Sequence, residues 1–229
     1  MTARNIIPLA LLGSTALALV MPTTTHAAGF VEDAKVTLGL RNYYFNRNYL
    51  NGTDPVIRGE RQGQAEGWTQ NFILDARSGF TQGTVGFGLD VLGLYSIKLD
   101  GNRGAANTQL MPIHDDGQAA DQFGRTAVAA KAKISKTELK VGEWFAVLPI
   151  LRADDGRSLP QTFQGAQLTS NEIDGLTLYG GQFWKNSQRN DASREEMTYN
   201  AGGTLGIVEG DDFNFAGGEY KFNGNNTLV

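Results

Sequence analysis

Val85-Gly86-Phe87-Gly88-Leu89-Asp90-Val91-Leu92-Gly93-Leu94-Tyr95-Ser96-Ile97-Lys98-Leu99 carries the most regular pattern in the chain. Val85, Phe87, Leu89, Val91, Tyr95, Ile97 and Leu99 fall on one face. Gly86, Gly88, Asp90, Ser96 and Lys98 fall on the other, while Leu92 and Leu94 break the alternation. A period of two over that length predicts a β-strand with one apolar and one polar side. The stretch is also long, since ordinary globular strands run about 5–6 residues.

The same pattern recurs on either side. Ala34, Val36, Leu38 and Leu40 alternate with Lys35, Thr37, Gly39 and Arg41, and Tyr43-Tyr44-Phe45 ends that run. Trp68, Phe72, Leu74 and Ala76 oppose Asn71, Asp75 and Arg77, with Gln70 the exception on the apolar side. Val128, Ala130, Ala132 and Ile134 oppose Lys131, Lys133 and Ser135. Leu176–Trp184, Thr198–Val208 and Phe213–Phe222 read as further strands. The total is roughly eight or nine strands, with no amphipathic helix of useful length.

The connections alternate. Tight turns are expected at Thr81-Gln82-Gly83, at Lys136 and at Asp174-Gly175. Long polar loops are expected over 46–67, from Asp100 to about Arg125, over 148–161 and over 186–196. Long strands joined by alternating short turns and long loops predict an all-β fold, a transmembrane antiparallel β-barrel. Tyr43, Tyr44, Trp68, Trp144 and Trp184 lie near strand ends, where aromatic side chains suit a membrane interface. The competing architecture is a secreted, carbohydrate-binding β-sandwich, whose strands are shorter and more evenly spaced.

Composition narrows the function. The chain has 229 residues, a net charge of −4 and no cysteine. Without cysteine there is no disulfide scaffold, thiol nucleophile or Cys-ligated zinc. An acidic balance disfavours nucleic acid as a partner. Arg4, the apolar run Ile6–Val20, Pro22 and Thr25-His26-Ala27 read as a signal peptide over 1–27, cleaved after Ala27. Residues 28–229 are then the exported part. Removal of the leader leaves His114 the single histidine, in a loop. A barrel enzyme with a rim site would need His114 as its base, and no serine lies in a nucleophile setting. The acidic pairs Asp115-Asp116, Glu195-Glu196 and Asp211-Asp212 read as solvated loop charge rather than metal sites. No cofactor is expected.

The loop Leu148-Pro149-Ile150-Leu151-Arg152-Ala153-Asp154-Asp155-Gly156-Arg157-Ser158-Leu159-Pro160-Gln161 places acids beside arginines. Its prolines and its apolar start predict an ordered, tucked-in loop. On the strands, Arg41, Arg77, Lys131 and Lys133 all fall on polar faces. Either they line a water-filled lumen and attract anions, or they pair with Asp75, Asp90 or Glu138.

Several segments resemble the OprD family of outer-membrane porins. They are Gly29-Phe30-Val31-Glu32-Asp33, Leu40–Arg47, Gly79–Gly88, Ser135-Lys136-Thr137-Glu138-Leu139, Leu159–Gly165 and Glu172–Leu178, in family order. The resemblance implies an outer-membrane location and a substrate-selective diffusion channel, not an enzyme. It implies small anionic or zwitterionic solutes bearing a carboxylate, such as amino acids, peptides or aromatic acids. The outer face would meet outer-membrane lipid, in a monomer or loose homo-oligomer. It also implies a ladder of basic residues, with Arg41, Lys131 and Lys133 in matching segments and Arg77 fitting only by face. The family's equivalent of the central loop narrows the barrel, so Asp154, Asp155, Arg157 and Ser158 are expected at a constriction, its acids facing the basic wall. Family barrels have about eighteen strands. This chain carries about half as many, and is expected to be the N-terminal part of a larger barrel.

Overall fold

A computed structural model of the chain describes residues 29–49, 56–57, 60–61, 63–101, 108–202, 206–210, 212–222 and 226–228. The expected signal peptide lies outside them. The described residues form strands and no helix. In chain order these are β1 (Lys35–Asn48), β2 (Val56–Ile57), β3 (Glu60–Arg61), β4 (Gln64–Arg77), β5 (Gly86–Asp100), β6 (Gln122–Ile134) and β7 (Thr137–Trp144). They continue as β8 (Thr162–Ser170), β9 (Leu176–Ser187), β10 (Glu195–Gly202), β11 (Gly206–Gly210), β12 (Phe213–Phe222) and β13 (Asn226–Leu228).

The wall is an antiparallel meander, β1-β4-β5-β6-β7-β8-β9, continued by β12 and β13. β2 and β3 form a separate small hairpin in the first long loop. Connections 78–85, 135–136 and 171–175 lie at one end of the sheet, and 145–161 with the described parts of the other long connections, 108–121 and 188–194 among them, at the other. One expectation is corrected here. Thr198–Val208 is not a single wall strand but lies within the hairpin β10–β11, which meets β9 only at Glu195↔Asn186 and Glu196↔Lys185. β9 pairs instead with β12, from Phe213↔Phe183 to Tyr220↔Leu176.

Burial is inverted relative to a water-soluble protein. On β5, Phe87 and Leu89 are exposed while Asp90 and Ser96 are buried, Phe87 at 58% and Ser96 at 0%. Leu38, Leu40, Val128, Val141 and Leu168 continue the exposed apolar face across the sheet. A contiguous apolar surface of that extent marks contact with something other than water. In hydrocarbon every backbone polar group must pair, which the continuous ladder achieves away from its edges.

Polar outward residues cluster toward the long-loop end. Asn42 Nδ2 donates to Gln70 Oε1 at 3.1 Å, Trp68 Nε1 to Asn42 Oδ1 at 2.8 Å, and Tyr44 Oη to Glu66 Oε1 at 2.7 Å. Tyr95 Oη donates to Gln122. Gln70, the exception in its strand, thus belongs to a belt at the membrane–water boundary. Trp68 and Tyr44 fit the expected girdle. Tyr43 and Trp144 do not: Tyr43 donates to the Gly156 carbonyl, and Trp144 is buried against Phe183, with ring centres 5.3 Å apart. Both face inward, because parity along a strand overrides nearness to its end.

Leu92 and Leu94 also face inward, where water alone would disfavour them. Long loops cover this side. Leu94 packs with Leu110, Met111, Phe123 and Leu159. A second cluster joins Trp144, Leu148, Phe163, Phe183 and Phe215. The hydrophobic core of this sheet is therefore on its polar-pattern side, built between wall and loops.

At the other end, Glu172 ties two short turns together. Its carboxylate accepts from Ser135 Oγ at 2.9 Å, the Lys136 amide at 2.8 Å and Thr137 Oγ1 at 3.0 Å. The Ser135 bond foremost, then the Lys136 amide and Thr137, hold its pKa below the ordinary value of 4.5. A depressed carboxylate stabilises the fold above its unfolded pKa, and that contribution is lost as pH falls through the folded value. Glu172→Gln is expected to lower the unfolding temperature at pH 7. The difference from the parent should shrink as pH falls below the ordinary value of 4.5 and the carboxylate protonates, as thermal melts in detergent would reveal.

Candidate functional site

The segment 145–161 leaves β7 and returns to β8 on the inward side. It begins as a tight apolar turn: the Leu148 amide donates to the Leu151 carbonyl at 2.8 Å, and the Ala153 amide to Ala146 at 2.9 Å. Leu148 anchors this turn in the aromatic cluster. Asp154 then caps Gly156, accepting from its amide at 2.9 Å, and the Gln161 amide closes on the Asp154 carbonyl at 2.8 Å. Asp155-Gly156 forms the tip, as a turn signal of that kind predicts.

This one loop reaches several strands. Arg41 on β1 grips Asp155, Nη1 to Oδ1 at 2.7 Å and Nη2 to Oδ2 at 3.1 Å. Its Nη1 also donates to the Arg157 carbonyl at 2.8 Å. On β4, Thr69 Oγ1 and Ser158 Oγ lie 2.8 Å apart, both fully buried. Asn71 and Ser96 extend that chain of hydrogen bonds inward. On β6, Arg125 donates to the Pro160 carbonyl, and also to Gln188 at 2.9 Å and Asp191 at 2.7 Å. The loop is rooted on β7 and β8 yet touches β1, four strands away, so it lies across the inward, concave face of the sheet.

Other loops lock onto the same segment. Arg189 pairs with Asp154 at 2.6 Å and also reaches Gln109. Arg157 donates to the Thr108 carbonyl at 3.0 Å, its guanidinium lying 5.0 Å from the Phe45 ring centre. Arg194 pairs with Glu143 at 2.6 Å.

The strand cations all face this concave side, and most have acidic partners. Arg77 pairs with Asp75 at 2.6 Å. Lys131 and Lys140 both hold Asp90, each at 2.6 Å. Lys131 is buried, donating also to the Ser78 carbonyl and lying 5.0 Å from the Phe80 ring centre. Lys133 is exposed, with Phe80 at 5.5 Å. A cavity of about 360 Å³ opens beneath the loop, lined by Asp75, Arg77, Glu138, Lys140, Trp144 and Val147 among others. Of the four loop residues of the sequence reading, Asp155, Arg157 and Ser158 thus meet Arg41 or Thr69, while Asp154 meets Arg189. Lys131 and Lys133 sit apart from them, toward the short-turn end. Asp154 and Asp155 touch arginines directly rather than facing cations across a gap.

Residues 28–229 match the model of an outer membrane porin family, OprD. The chain belongs to the OprD family. It is 60% identical to a porin-like protein, GalP, of Pseudomonas putida, over all of this chain and 53% of that protein. The structure of OccK2 (OpdF) of Pseudomonas aeruginosa in complex with glucuronate is 54% identical, with a TM-score of 0.66 over 86% of this chain and 44% of that one. The structure of OpdK of Pseudomonas aeruginosa with vanillate is 46% identical, with a TM-score of 0.71 over 85% and 46%. The chain thus spans about half the length of the relatives it matches. These relatives of the OprD-family chain are outer-membrane porins, not enzymes, which sets the rim-enzyme reading aside. The sandwich fails on the exposed apolar face.

Sequence reasoning passed over Arg125, Lys140, Arg189 and Arg194. Arg125 shares the parity of Lys131 and Lys133, so an extended count along β6 finds it. Arg189 and Arg194 lie in an irregular loop, where no period exists to place them. Arg125→Ala is expected to leave the Pro160 and Asp191 carbonyls without this donor, at about 1–3 kcal/mol for each one kept from water. Limited proteolysis in detergent should then cut segments 158–161 and 188–194, both protected in the parent.

Proposed function

We propose that this OprD-family chain forms wall and constriction loop of a passive diffusion channel for small carboxylate-bearing solutes. The observation that carries the reading is the parity of the cations. Arg41, Arg77, Lys131, Lys133, Arg125 and Lys140 all lie on the concave side of the strands, with Arg157 and Arg189 added by loops. Cations distributed along a pore wall draw in anions and release them stepwise, because no single site binds tightly. Two structural neighbours of the chain contain glucuronate and vanillate. These share little beyond a carboxylate, which supports that group as the recognised feature. Amino acids, peptides and aromatic acids all meet the requirement.

The residues do not contribute alike. Lys131 is buried and shares Asp90 with Lys140, so its exchange would disturb a buried charge cluster as well as the lumen field. Arg77 and Lys133 are exposed strand cations toward the short-turn end. The double charge reversal Arg77→Glu with Lys133→Glu, in the full-length protein, is the cleaner test. In planar bilayers the reversal potential should move toward cation preference, and glucuronate flux should fall. Both effects should shrink at 1 M salt, where the screening length is about 3 Å. An unchanged reversal potential at low salt would remove these residues from the solute path.

A further inference from the structure

Taking the carboxylate reading as its basis, we infer that Asp155 is a tethered competitor for Arg41, and that a solute carboxylate binds this guanidinium by displacing it. The two oxygens of Asp155 meet two nitrogens of Arg41, at 2.7 and 3.1 Å. That fork-to-fork arrangement is the one a free carboxylate adopts on an arginine. The aspartate is therefore a chemical copy of the proposed solute group.

The pair is built to exchange. The Asp155 side chain is 57% exposed, so a solute reaches it from the water-filled side. Exposed ion pairs are weak, because water screens them. The guanidinium keeps its place when Asp155 leaves, since Nη1 also donates to the Arg157 carbonyl at 2.8 Å. The backbone on both sides of Asp155 is fixed as well. Asp154 is held by Arg189 at 2.6 Å, and the Gly156 carbonyl by Tyr43 Oη at 3.0 Å. Displacement then needs only a side-chain rotation, which occurs in picoseconds to nanoseconds for an exposed residue, and no loop opening.

Specificity follows from this exchange. A carboxylate replaces Asp155 with charge and geometry conserved. An uncharged solute offers Arg41 no opposite charge, and chloride, as a single acceptor atom, does not reproduce the two parallel hydrogen bonds of a carboxylate.

The test uses benzoate and its uncharged isostere benzamide with the full-length protein in planar bilayers. Asp155→Asn keeps size and removes the competing charge. Half-saturating benzoate should fall about two- to fivefold, while benzamide stays without effect. Asp154→Asn loosens the Arg189 contact without freeing Arg41, and should leave half-saturation within about twofold of the parent. Arg41→Gln should weaken benzoate binding and cancel the gain from Asp155→Asn in the double variant. Unchanged or weaker benzoate binding in Asp155→Asn, with the parent still selective for carboxylates, overturns this inference alone. A parent that binds no carboxylate overturns the channel reading with it.

Discussion

A strand that separates hydrocarbon from water must satisfy two solvents with one backbone, and it can do so only by strict alternation. Every inward residue of this sheet owes its position to that parity. Arg41 and Asn71 are direct cross-strand neighbours, as are Asp90 and Arg77, and Gly88 and Lys131. A slip of one residue in any pair would send a charged group into lipid, at about 2–4 kcal/mol for a lysine or arginine near the bilayer centre. The register is therefore held by the sum of many side chains rather than by any one contact.

Inside the concave face a different physics operates. Loops press apolar residues against the wall and convert part of a polar surface into a core. This explains why the strands are not uniformly polar inward. Leu92, Leu94, Phe163 and Phe183 face loops or a cavity edge rather than open water. Buried hydroxyls and amides then pair with one another, as Ser158, Thr69, Asn71 and Ser96 do, because a lone polar group there would be costly.

Much of the wall was legible in the sequence, since period two is a local signal. The exceptions were legible only as exceptions. Leu94 could not be interpreted without Leu110 and Leu159, which approach it from distant loops. Gln70 needed Asn42 and Trp68 beside it. Composition brought the loop with Asp154, Asp155, Arg157 and Ser158 into view and resemblance implied its place at a constriction, but neither gave their partners. Arg189 lies in an irregular segment, and its contact with Asp154 is set by two loops folding together. Likewise the β10–β11 hairpin looked like wall, because its residues alternate as wall residues do. Only pairing separates the two, and pairing is not local.

The meander also has a temporal meaning. Neighbouring wall strands are mostly consecutive in the chain, so each pairing closes a modest loop and can form as soon as its two strands exist. The grip of Arg41 on Asp155 joins residues 114 positions apart. It cannot form until β1, β4, β5, β6 and β7 have assembled into a curved surface. The contact between the 145–161 loop and β1 thus presupposes the pairing of the strands that separate them.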